Sequence, residues 1–237
     1  LHGGYQLDKY NINLNQSTHE ENNLFHKNNI FSKIFKKIGN IHSNIIKEKS
    51  LLFDNNLLKS NGKVFSSANS INIGRLVPQI VYYFHGYFDL VKKGQIKLGD
   101  KINVVVPTGN FGDVLAGYYA YLMGLPVEKF YVASNANRVL TDFLTTGIYD
   151  RNRDFIQTIS PSMDILISSN LERLLYYASN KDTQKVSKWM QELNEKGRYQ
   201  IDDETFKTIQ NLFACGSVDD KNTSLEIKLV YDKTCYV

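Results

Sequence analysis

The chain has 237 residues, 42% of them hydrophobic and 22% charged, with a formal net charge of +4. That is an ordinary balance for a globular protein with enough chain to bury a core. The mild charge shows no dense basic tract and gives nucleic-acid binding no support, and no run of 18 or more apolar residues exists to form a membrane-spanning helix.

The N-terminal LHGGYQLDKY has no charged-then-apolar leader pattern. Cys215 and Cys235 are not arranged as a ligand pair, and so few cysteines point to the reducing cytosol. The chain starts at Leu1 and stops at YDKTCYV, so a piece of a longer polypeptide is expected.

Composition changes near residue 62. Residues 1–62 hold twelve asparagines and four of the five histidines, and no Ala, Pro or Trp. Such Asn/Lys-biased stretches build a packed core poorly. They read as a low-complexity insertion or the end of a small domain, poorly ordered in part. His2, His19, His26 and His42 lack metal-site spacing and are expected at the surface.

Residues 63–237 have the texture of a packed α/β domain. Ile73, Leu76, Val77, Ile80, Val81, Phe84, Phe88 and Val91 form one helical stripe, with Lys92-Lys93-Gly94 as its end. Residues 103–106, NVVV, predict a buried strand, 112–123 a helix ending at Gly124, and 130–134, FYVAS, a second strand. RVLTDFLTT before Gly147 predicts another helix. Ser160-Pro161 resembles a cap followed by proline in the first turn, opening a helix expected to reach about residue 179. KVSKWMQELNEKG and DDETFKTIQNLF predict two amphipathic helices. Strands alternating with helices indicate layered α/β architecture with a parallel sheet.

Between the first strand and its helix lies PTGNFGD, 107–113. A strand-to-helix turn leaves N–H groups unpaired at the positive end of the helix dipole, which favours an anion such as phosphate. Gly109 and Gly112 would let the backbone approach it closely. Neither the G-x-G-x-x-G nor the G-x-x-x-x-G-K-[ST] fingerprint occurs, which argues against a dinucleotide-binding domain. On spacing alone, an anion cradle and a purely structural left-handed turn both fit. Asp113 is expected to cap the following helix.

A second polar cluster, SSANSINIGR, spans 66–75. Asn69, Ser70 and Asn72 stand where side-chain oxygens cap helix N–H groups. Arg75 falls in the first helical turn, where a cation opposes the dipole unless an anion lies between. Two anion sites suggest a phosphorylated cofactor together with a phosphorylated or carboxylated substrate. Tyr82, Tyr83, Tyr118 and Tyr119 are expected to pack with a wet hydroxyl, and Cys215 reads as a buried thiol. Asn137, Arg138, Thr141 and Asp142 receive no chemical role.

SSANSINIGRLVPQIVYYF, PTGNFGDVLAGYYAYLMGLP, SNANRVLTDFLTTGIYDR and SPSMDILISSNLERLL, in that order, resemble threonine synthase, most closely its microbial and fungal branch. The resemblance covers about residues 63–178. It implies a three-layer parallel-sheet α/β domain of fold type II, like the tryptophan synthase β-subunit, with pyridoxal 5'-phosphate as cofactor. It implies conversion of O-phospho-L-homoserine and water to L-threonine and phosphate by a cytoplasmic monomer. By motif, Gly109, Asn110, Phe111, Gly112 and Asp113 would bind the cofactor phosphate. Asn69, Ser70 and Arg75 would bind the substrate phosphate. The family's Schiff-base lysine stands in a Phe-Lys-Asp context, and no such tripeptide occurs here. Nor does its C-terminal histidine-threonine segment. The expectation is therefore an internal, inactive piece of such an enzyme. A threonine-synthase-like phospho-lyase and a truncated non-catalytic phosphate-ligand binder remain as alternatives.

Overall fold

The computed structural model describes Ser70 and residues 72–236, within the unit Ala68–Val237. The expectations for residues 1–62, and for Asn69, lie outside the described residues.

Helix α1 (Ile73–Lys92) starts at Asn72, whose side chain accepts a bond from the Gly74 N–H at 2.9 Å. It packs on α2 (Gly112–Leu122), and Gly117 of α2 permits the close approach. A Cβ there would meet the rings of Tyr83 and Phe130 at 2.7 Å. The buried line of α1 runs through Leu76 and Tyr87, joined by half-buried Ile80, Tyr83 and Phe84. Ile73, Val77, Val81 and Phe88 of the expected stripe are more than half exposed, because the apolar arc is wider than the contact α2 offers. Tyr82, expected to pack, is 64% exposed on the same side.

The parallel sheet takes the order β1 (Ile102–Pro107), β2 (Val127–Ser134) and β5 (Phe213–Ser217). Both expected strands are present. The third, FACGS, is not expected from the sequence, where Phe213 reads as the last residue of the DDETFKTIQNLF helix. Its Phe213 lies opposite Phe130 in register, and the two rings stack at 5.5 Å. Val106, Phe130, Val132 and Phe213 line the buried face. Val105 and Tyr131, register partners on the other face, are 71% and 43% exposed.

After β2 come α3 (Val139–Thr146), β3 (Ile148–Asp150), a single 3-10 turn (Pro161–Met163), α4 (Leu171–Ala178), α5 (Thr183–Lys196), β4 (Arg198–Gln200), α6 (Asp203–Leu212) and, beyond β5, α7 (Asp220–Thr234). β3 and β4 pair antiparallel. Helices α5, α6 and α7 begin at Asp182, Asp202 and Asp219, each accepting a first-turn N–H. Helices α3 and α5 end at Gly147 and Gly197 in left-handed conformation. Helix α7 buries no residue.

The continuous helix expected from Ser160 to about residue 179 is not formed. The chain makes one turn, runs irregularly, and becomes helical only at Leu171. The reason is tertiary. Asp164 is pulled inward to accept from Thr158 N–H at 3.0 Å, Thr158 Oγ1 at 2.7 Å, Asn135 Nδ2 at 2.7 Å and Asn137 Nδ2 at 3.0 Å. These bonds hold the segment out of helical geometry, since a buried carboxylate needs every one of them.

Candidate anion-binding site

The PTGNFGD loop extends the sheet before turning. The Thr108 N–H donates to Ala133 O at 2.8 Å, continuing the β1–β2 pairing, and the Phe111 N–H closes the turn onto Thr108 O at 2.8 Å. Gly109 (φ +40°) and Phe111 (φ +61°) both take left-handed conformations. For a phenylalanine that conformation is strained. The fully buried ring, 6.1 Å from that of Phe213, holds it in place.

Phe111, not Asp113, is the N-cap residue of α2, and it supplies no side-chain cap. The first-turn N–H groups therefore have no partner within the helix. Asp113 sits inside that turn with Oδ1 buried and unbonded, as is the Asn110 Oδ1. Burial pushes the Asp113 carboxyl above the usual carboxylate range. The strained turn and the uncapped helix start leave backbone N–H donors suited to an anion, whereas the orphaned Asn110 Oδ1 and Asp113 Oδ1 are oxygens that call for a donor rather than an anion.

Ser70 is packed directly on this turn. A Cβ on Gly112 would stand 2.7 Å from Ser70 Cβ, so Gly112 is required for contact rather than for backbone freedom. Arg75 is exposed in the first turn of α1, its N–H bonded to Asn72 O at 3.0 Å. Of the expected substrate-phosphate residues, then, Ser70 adjoins the GNFGD loop.

A third segment, Ser168-Ser169-Asn170, completes the arrangement; the sequence reading places it inside the expected 160–179 helix and gives it no binding role. Asn170 is fully buried. Its backbone N–H and its Nδ2 both donate to Asn110 O, at 3.2 and 3.0 Å, and Nδ2 also donates to Ser70 Oγ at 3.0 Å. Arg173 Nη1 donates to Asn170 Oδ1 at 2.6 Å. The hydroxyls of Ser168 and Ser169 are buried without partners. The signal available in sequence was a Ser-Ser-Asn cluster ahead of a helix, similar to the one ahead of α1.

The Asn135/Asn137/Asp164 cluster behaves differently. Burial acts to raise the Asp164 carboxyl, but the bonds from Thr158, Asn135 and Asn137 outweigh it and hold the group below the usual range. Every side chain there has a partner, so the cluster is structural. Arg138 and Arg153 both pair with Asp142, at 2.9 and 2.7 Å. Thr141 bonds Ser134 Oγ and Gly216 O, tying α3 to the ends of β2 and β5. Cys215 is half-buried beside Thr141 and Thr145. No cluster of three or more potential metal ligands occurs among the described residues, and no described helix is long and apolar enough to cross a membrane.

This site can be set beside known proteins. The chain is 46% identical over 177 residues to threonine synthase-like 1 of Macaca fascicularis, covering 74% of this chain and 24% of that protein. It is 42% identical over 177 residues to threonine synthase of Saccharomyces cerevisiae, covering 71% of this chain and 34% of that protein. In structure it matches pyridoxal-phosphate-bound threonine synthase from Brucella melitensis with a TM-score of 0.74 and 36% identity, over 84% of this chain and 41% of that one. This chain is a relative of the threonine synthases. Its fold is that of the fold type II enzymes, and yeast threonine synthase matches it with a TM-score of 0.66 at 38% identity, over 73% of this chain and 35% of that one. No protein-family profile matches the chain. It spans only 24% to 41% of the length of the relatives named here.

Proposed function

We propose that the full-length protein containing this chain is a pyridoxal-phosphate-dependent lyase of the threonine synthase type. It converts O-phospho-L-homoserine and water to L-threonine and phosphate. One observation carries the reading: Ser70 and Asn110, from two loops each suited to an anion, are bonded to the same buried side chain, Asn170. Adjoining anion sites are what a phosphorylated cofactor and a phosphorylated substrate require. The relatives named threonine synthase support it.

The residues present fit such a cofactor. The uncapped start of α2 and the orphaned hydroxyls of Ser168 and Ser169 offer donors to an anion, and the orphaned Asn110 Oδ1 offers an acceptor to a donor group beside it. Gly109 through Asp113 would hold the cofactor phosphate on backbone N–H groups. Pyridoxal phosphate, when bound, supplies an electron sink for proton removal from the substrate. Asn69, Ser70 and Arg75 would hold the phosphate that leaves the substrate, and fixed donors stabilise the charge developing there. No lysine of this chain stands in the family's Phe-Lys-Asp context, and none is assigned covalent attachment. We place the protein in the cytosol as a monomer, a reading supported by its two free cysteines and by the resemblance.

A second reading is a phospho-lyase that releases phosphate with a keto acid. The relatives at 45–46% identity are named threonine synthase-like 1, a name that states no reaction, so both outcomes are set against each other in one assay. The test is to load the full-length protein with pyridoxal phosphate, add O-phospho-L-homoserine, and quantify phosphate, threonine and keto acid together. Equal phosphate and threonine support the synthase. Phosphate with keto acid moves the protein to the second reading, and no product leaves a non-catalytic phosphate-ligand binder.

A further inference from the structure

Asn170 occupies the N-cap position of α4, yet its side chain makes no cap bond to that helix. An asparagine there ordinarily accepts a helix N–H. Here its side-chain oxygen instead faces the Arg173 guanidinium at 2.6 Å. That contact fixes the amide's orientation, because a flip would turn the NH2 group onto a cation. The two Nδ2 hydrogens then point to two different loops, one to Ser70 Oγ and one to Asn110 O, each at 3.0 Å. Arg173 also reaches the Ser70 carbonyl at 3.4 Å.

We propose that Asn170, oriented by Arg173, is a positioning residue that clamps the Ser70 loop to the Asn110 loop and so fixes the separation of the two bound phosphates. The identity of those phosphates rests on the threonine-synthase-type reading. The clamp itself stands on bonds within this chain. An amide is needed because it alone presents two donors and one acceptor at this size. Aspartate keeps the shape and the Arg173 contact but turns a negative oxygen toward Asn110 O. Ser70 can still donate its hydroxyl to that oxygen, so the aspartate variant loses the side-chain bond on the cofactor side, leaving only the weaker backbone N–H bond to Asn110 O at 3.2 Å, and keeps the substrate side.

The test uses the full-length protein. Cofactor Kd is read from visible absorbance, KM from O-phospho-L-homoserine turnover, and folding from thermal denaturation. Asn170→Ala is expected to raise both the cofactor Kd and KM by about tenfold or more, from the loss of both side-chain bonds to the loops and of the Arg173 bond that orients them. Asn170→Asp raises Kd by a similar factor with a smaller rise in KM, and it serves alone if the alanine variant does not fold. Ser70→Ala raises KM, and in the Asn170→Ala background it adds less than about threefold, since both act through one bond. A Kd and KM of Asn170→Ala within about threefold of wild type, or movement of only one of them, overturns the clamp. An unchanged Kd in Asn170→Asp overturns it too. If wild type neither binds the cofactor nor turns over, the reaction assignment fails while the clamp is judged by amide hydrogen exchange. Asn170→Ala must then speed exchange at 109–113 and around Ser70 together. Acceleration in one segment only, or in neither, refutes it.

Discussion

Gly112 lies against Ser70 so closely that a Cβ on residue 112 would stand 2.7 Å from Ser70 Cβ and 3.0 Å from its Oγ. The glycine sits inside α2 with ordinary helical backbone, so the demand is for space. Gly112→Ala is expected to displace Ser70 and cost about 1–3 kcal/mol of overpacking. On the proposed threonine-synthase-type reading it should also raise the full-length protein's KM for O-phospho-L-homoserine. Denaturant unfolding checks the first effect and steady-state kinetics the second. An alanine variant as stable as wild type would contradict the packing.

Phe213 joins the turn at Phe111 to the sheet. Its ring stacks on Phe130 and lies 6.1 Å from Phe111 and 6.0 Å from Tyr118. Phe213→Ala is expected to cost about 3–5 kcal/mol and to release the strained turn at Phe111. Trp189 is the chain's single tryptophan and is buried, so its fluorescence reports the unfolding transition. A loss below about 1 kcal/mol would be too small for a ring in this position.

Asp164 predicts an acid sensitivity. Its carboxyl is held below the usual range in the folded state, so its ionised form stabilises the fold. That contribution is complete above the unfolded value of about 3.9 and is lost as the pH falls through that value toward the folded one. Melting temperature measured from about pH 6 down to pH 3 should drop with this dependence. In Asp164→Asn, stability should be lower at neutral pH, by about 1–3 kcal/mol for donors left without an acceptor, and the acid-dependent part should shrink. An unchanged pH profile would remove Asp164 from this role.

Gly197 and Gly94 make a matched pair. Both have left-handed backbone, with φ of +72° and +68°, but Asn152 occupies the space a Cβ would need at 197, whereas nothing lies within 4 Å at 94. Gly94→Ala should cost only the conformational part, about 1–2 kcal/mol. Gly197→Ala should cost clearly more. Equal losses in parallel unfolding curves would show that Asn152 moves aside freely.

The residues themselves announce much of this protein. NVVV and FYVAS are β-branched or aromatic runs too short for helices, and the structure makes them β1 and β2. Aspartates ahead of α5 and α6 and glycines after α3 and α5 mark those helices because capping is decided within a few residues. PTGNFGD was legible for the same reason: a strand-to-helix turn with glycines leaves donors exposed wherever it occurs. Local chemistry of this kind survives translation into any fold.

What the tertiary structure decided involves bonds between distant residues. Phe213 reads as the last residue of a helix until it meets Phe130 across the sheet. Ser160-Pro161 reads as a helix start, yet Asp164 is drawn to Asn135 and Asn137, residues 29 and 27 positions away. Asn170 stands 100 residues from Ser70 and 60 from Asn110. No periodicity or spacing records such a meeting, because its energy exists only once the chain has closed and water has left the buried amide. Local spacing marks the PTGNFGD and SSANSINIGR loops as candidates for an anion and goes no further. Only the closed fold determined that one asparagine ties them together.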